Sequence, residues 1–171
     1  AQARRVLALA DHLGIERFWL IGHSMGGQIG LQVCLLAPQR VERFVDVAGC
    51  TTGEVTNYVK YVIHPLFRLV QRSPSTFNSS RYLMRFYWYR RIFSIATGKA
   101  QFEENGGYRS PNVQFTLSDG AEYSLPAAMF AIPKSDLSAH FAQIQTPTLI
   151  IFGKRDNTVP ARAGQQTAAQ M

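Results

Sequence analysis

The stretch RFWLIGHSMGGQIGLQVCLLAP, residues 17 to 38, constrains the fold more than any other part of the chain. A short, continuously apolar run enters Gly22-His23-Ser24-Met25-Gly26 and continues into a segment of helical length and pattern that Pro38 halts. Such a run predicts a strand covered on both faces. A strand that turns abruptly into a helix forces its middle residue into a strained conformation, so the positions two residues either side must lack bulk. Gly22 and Gly26 meet that need. The turn lifts the Ser24 oxygen above the sheet and aims the helix N-terminus at it, with the Met25 N–H as the natural first oxyanion donor. By composition alone, Gly-x-Ser-x-Gly occurs in about one chain of this length in twenty. Its placement between strand and helix, rather than the pentapeptide itself, therefore makes Ser24 a candidate nucleophile. The alternative is a glycine-rich packing turn carrying an idle serine.

The flanks repeat the alternation. Val6, Leu9, Ala10 and Leu13 fall at helical spacing, and Gly14 supplies a stop. VERFVDVAG (41 to 49) and TPTLIIFG (146 to 153) are further strands. Helices alternating with buried strands predict an α/β fold with a parallel sheet. Within 171 residues, an apolar content of 46% suits a soluble globular chain, and no run is long enough for a transmembrane helix. Nothing near the N-terminus has the pattern of a signal peptide. Cys34 and Cys50 have no metal or disulfide spacing, and read as free buried thiols in a reducing compartment. The expected location is cytoplasmic, with peripheral membrane contact as the alternative. The chain opens inside a helical pattern with no capping residue and stops inside another, which predicts an internal piece of a larger domain.

Between residues 53 and 140 the rhythm breaks, and a mostly helical cap inserted into a core of residues 1–52 and 141–171 is expected. From Lys60 to Lys99 there are eight basic residues, no acidic ones and nine aromatics. RYLMRFYWYRRIF (81 to 93) is too apolar to be a helix solvated on all sides. Packing of the cap onto the core, contact with anionic lipid, and recognition of an acidic substrate group all fit this pattern. No nucleic-acid-binding module is present, so no such partner is expected.

LGIERFWLIGHSMGG and TPTLIIFGKRDNTVP together make the chain resemble the α/β-hydrolase superfamily. The resemblance covers residues 1–52 and 141–171. It implies a triad acid in the loop after the later strand, where Gly153-x-x-Asp156-x-x-x-Pro160 stands, so Asp156 takes that role. A loop-capping aspartate is the other reading. Asp46, inside a strand, ranks second as the acid. The family's chain order places the histidine base after the acid, yet His12, His23, His64 and His140 all precede Asp156. The base and the second oxyanion donor are therefore expected outside these residues. What the resemblance implies is a serine hydrolase acting on an ester or related acyl bond of a small molecule or lipid, without cofactor or metal. Acyltransferases, carbon–carbon bond hydrolases and cofactor-free haloperoxidases share the same elements. A non-catalytic receptor on the same scaffold is the rival from another class.

Overall fold

A computed structural model describes residues 1–73, 75 and 121–171. The arginine-rich stretch, with Arg81, Arg85, Arg90 and Arg91, lies outside the described residues, as does the irregular ENGGYRSPNVQ section. The chain divides into two compact units, Ala1–Val62 with Phe130–Met171, and Ile63–Met129. Residues 53–62 and 130–140 thus belong with the sheet.

In the first unit, α1 (Gln2–His12) leads to β1 (Phe18–His23), then α2 (Met25–Leu36), β2 (Val41–Val47), β3 (Thr148–Ile151) and a last helix over Ala161–Gln170. The second unit contains α3 (His64–Arg72), preceded by a π-helical turn over Val59–Ile63, and most of α4 (Ala121–Ala131). The final helix is therefore α5. Gly14 ends α1 at φ +66, the left-handed conformation in which a glycine carries no Cβ penalty. Among the described residues no helix is long and apolar enough to cross a membrane.

The three strands are parallel in the order β1-β2-β3. Register sorts their side chains into two faces. Leu20 pairs with Phe44, which pairs with Thr148, and Gly22 pairs with Asp46, which pairs with Ile150. This face carries the core, where Phe44, Leu31 and Phe141 are fully buried together with Ala3 of α1 and Ile144. Close approach is built in: a Cβ on Gly30 of α2 would collide with the Phe44 ring, and one on Gly164 of α5 with the Phe152 ring. A register shift between Phe18 and Trp19 skips Glu42 and turns Val41 into the core, 3% exposed.

Among the described residues the opposite face of the sheet is left uncovered. Trp19 and Ile21 are 69% and 72% exposed, and Leu149 and Ile151 are 57% and 46% exposed. The physical reason is that α1, α2 and α5 all pack against the Leu20–Phe44–Ile150 face. The described residues supply no helix for the other one. Trp19 is held there by its Nε1–H donating to Glu42 Oε2 at 2.9 Å, with the Arg43 guanidinium 5.7 Å from its ring.

Candidate active site

The carboxyl ends of the three strands carry the chemistry-bearing residues, the edge at which open α/β sheets place ligands. Ser24 follows β1 directly and is the N-cap of α2, with φ 54 and ψ −119. A positive φ on a residue with a side chain costs on the order of 1–3 kcal/mol. The surrounding bonds hold it there. Ser24 N–H donates to Val47 O at 2.9 Å, while Ser24 O accepts from the N–H groups of Gly27 at 3.0 Å, Gln28 at 3.4 Å and Cys50 at 3.1 Å. Gly22 is sterically required, since a Cβ there would strike the Gly26 carbonyl oxygen and lie 2.7 Å from Gly27 N. Gly26 is different: among the described residues a Cβ there would meet nothing within 4 Å. Met25 occupies the first helical position, ahead of the hydrogen-bonded ladder, so its N–H belongs to the free donors of the helix N-terminus.

Ser24 Oγ lies 3.6 Å from Cys50 Sγ. Burial pushes the Cys50 thiol upward and the charges of Asp46 and Asp156 push it further, while the Ser24 contact pulls the other way. The thiol is therefore protonated at neutral pH. Cys34, also buried and free, is raised by burial to about 11.

Asp156 stands in the loop after β3. Its N–H donates to Gly153 O at 3.2 Å, and its Oδ1 accepts the N–H groups of Thr158 at 2.7 Å and Val159 at 3.0 Å. The turn-capping reading thus describes real bonds, which at the same time fix the carboxylate's orientation. The loop following β2 ties this acid loop to the elbow. Thr56 N–H donates to Thr158 O at 3.0 Å, Thr51 Oγ1 is 2.8 Å from Thr167 Oγ1 of α5, and Cys50 reaches Ser24. The second candidate acid, Asp46, is fully buried. Its carboxyl is pressed between Gly27 and Gly49, at both of which a Cβ would collide with it. Neither of its oxygens finds a hydrogen-bond partner among the described residues. Burial raises it from 3.8 to about 6, and the nearby Gly49 N–H offsets this only in part.

Of the four histidines, His12 and His140 are exposed on α1 and on the 3-10 turn Ser138–Gln143, and His23 is exposed on the bare sheet face. His64 opens α3 of the second unit. Among the described residues no group of three or more His, Cys, Asp or Glu side chains stands close enough to hold a metal ion.

No sequence pattern marks two of the residues at the elbow. Cys50 passed as an ordinary buried thiol, although it lies just beyond a strand's carboxyl end. Gln28 sits one helical turn after Ser24, 5% exposed, where a buried polar side chain needs partners. It has them in the carbonyls of Cys50 at 2.8 Å and Ser135 at 2.6 Å.

The chain is similar to known proteins. A 2-hydroxy-6-oxononadienedioate/2-hydroxy-6-oxononatrienedioate hydrolase of Paraburkholderia xenovorans (strain LB400) is 29% identical over 99% of this chain and 56% of its own length. Among solved structures, a hydrolase from Pseudomonas aeruginosa PA01 superposes with a TM-score of 0.64 at 22% identity, over 98% of this chain and 58% of that one. The enol-lactonase from Burkholderia xenovorans LB400 does so with a TM-score of 0.63 at 20% identity, over 98% of this chain and 59% of that one. The chain thus spans somewhat over half the length of the relatives it matches. A strand, a strained serine and a helix in direct succession, an acid loop after the last described strand, and a match of residues 1–170 to the model of the alpha/beta hydrolase fold lead to one conclusion: the chain belongs to the α/β-hydrolase family.

Proposed function

We propose that this protein is a serine hydrolase in which Ser24 attacks the carbonyl carbon of an ester or related acyl group. The observation that carries the reading is the backbone of Ser24, at φ 54 and ψ −119 between β1 and α2. A strained, over-determined conformation at a helix N-terminus presents a hydroxyl where backbone N–H groups meet developing negative charge. In the proposed reaction Ser24 Oγ loses its proton to a histidine as it bonds to the carbonyl carbon. The carbonyl oxygen becomes an oxyanion facing the Met25 N–H. Collapse of the tetrahedral species expels the leaving group, and water then releases the acyl group from Ser24. Asp156 holds the imidazole in the required tautomer. The histidine is proposed to come from outside residues 1–171.

A second reading is favoured by the name of one relative, a hydrolase of 2-hydroxy-6-oxo dienedioates. On it, the same serine acts on an oxo-dienedioate in place of a simple ester. A panel of small soluble esters beside an oxo-dienedioate separates the two by kcat/KM. The test of the shared mechanism is Ser24→Ala in the complete protein. A fluorophosphonate probe labels Ser24 in the parent and not in the variant, and turnover falls by about four to six orders of magnitude. Turnover that survives the substitution refutes the mechanism.

A further inference from the structure

We propose that Gln28 and Cys50 are positioning residues that brace the nucleophile, holding the Ser24 hydroxyl in a single orientation at the carboxyl edge of the sheet. The inference rests on the reading of Ser24 as the nucleophile and extends it to residues that touch no substrate.

The bonds form a closed ring. From Ser24 the chain runs one turn along α2 to Gln28, whose N–H donates back to Ser24 O at 3.4 Å. Gln28 Nε2–H donates to Cys50 O at 2.8 Å, and the Cys50 N–H donates to Ser24 O at 3.1 Å. The ring closes at the reactive atom, where Cys50 Sγ is 3.6 Å from Ser24 Oγ. A second anchor comes from far along the sequence, because Gln28 Nε2 also donates to Ser135 O at 2.6 Å and reaches Ile132 O at 3.4 Å. Both brace residues are buried, Gln28 at 5% and Cys50 at 1% exposed, so water does not compete for these contacts.

The chemistry follows from donors and acceptors. A hydroxyl on an elbow can point its proton in several directions, and only one serves attack. A protonated thiol that donates to Ser24 Oγ occupies one lone pair from the buried side. The serine's own proton is then left to face the crevice, where a base takes it. The thiol keeps its own proton throughout, and no bond to sulfur forms. As a soft, weak donor, it fixes orientation without strongly stabilising the ground-state hydroxyl.

The experiment measures the rate of acylation by a fluorophosphonate probe, with kcat and KM for a small ester, in the complete protein. Cys50→Ala and Cys50→Val remove the donor, Cys50→Ser retains one, and Gln28→Leu cuts the ring. Acylation and kcat are expected to fall about tenfold in Cys50→Ala and Cys50→Val with KM within twofold, a misorientation effect of the kind small displacements produce. Cys50→Ser recovers part of the loss. Gln28→Leu lowers the rate in the same way, and the Gln28→Leu/Cys50→Ala pair loses no more than the worse single variant, since both act on one ring. A folded Cys50→Ala or Cys50→Val that acylates at the parent rate well below its melting temperature overturns the brace, as does a pair whose losses multiply. A parent protein that is not labelled at Ser24 at all overturns the hydrolase reading instead.

Discussion

Asp46→Asn tests the electrostatics beneath the elbow. The carboxyl is fully buried against two glycines without a hydrogen-bond partner among the described residues, and burial lifts it from 3.8 to about 6. A carboxyl whose folded value lies above its unfolded one binds its proton more tightly in the fold. It therefore favours folding when neutral and opposes it when ionised. The stabilising neutral form is fully present below about pH 4 and is lost as pH rises through about 6, the reverse of the usual aspartate. Taken at about 1.4 kcal/mol per pH unit, ionised Asp46 costs the fold about 3 kcal/mol at neutral pH, and about 2 kcal/mol of that develops between pH 4.5 and 7.5. Asparagine keeps the shape and cannot ionise, at an expense of about 1–2 kcal/mol for burying its amide. The variant should gain about 1–2 kcal/mol over the parent at pH 7.5 and lose that advantage at pH 4.5. Urea unfolding midpoints across this range, with slopes shown to be unchanged, measure the difference. A stability difference that is flat with pH, or one that grows toward acid, refutes the reasoning.

The two elbow glycines should behave differently. Gly22→Ala drives a Cβ into the Gly26 carbonyl and should cost several kcal/mol or abolish Ser24 labelling, whereas Gly26→Ala should leave thermal stability equal or higher by up to about 1 kcal/mol. Differential scanning calorimetry on both decides, and equal losses contradict the assignment of the steric load to Gly22. For the basic aromatic stretch we propose contact with anionic lipid. Charge reversal at Arg81, Arg85, Arg90 and Arg91 should weaken cosedimentation with anionic vesicles in a salt-dependent way, while hydrolysis of a small soluble ester stays within about twofold. Vesicle binding that ignores the reversal removes the lipid reading.

What the sequence determined by itself was local. Helical spacing in α1, a glycine stop at Gly14, a strand run straight into Gly22-His23-Ser24-Met25-Gly26, and a Gly-x-x-Asp turn after an apolar run are each written within about fifteen residues. Sterics and periodicity act over that range, so the α/β pattern and the positions of Ser24 and Asp156 were legible. The strand over residues 41 to 49 was legible too, although it stops at Val47, where Ala48 takes a positive φ. Tertiary structure alone decided what strand order and register bring together. Asp46 is buried because Gly27 of the preceding helix and Gly49 of its own loop close on it, a meeting across 19 residues on one side and three on the other. Cys50 reaches Ser24, 26 residues away, because β2 lies beside β1, and Gln28 binds a carbonyl 107 residues distant. Gly27 and Gly30 matter for packing only because β2 lies beneath them, where a Cβ would meet Asp46 and Phe44. A run such as FWLI looks the same whether one face or both are covered, because hydrophobicity records what a side chain avoids and carries no record of which neighbour arrives to cover it.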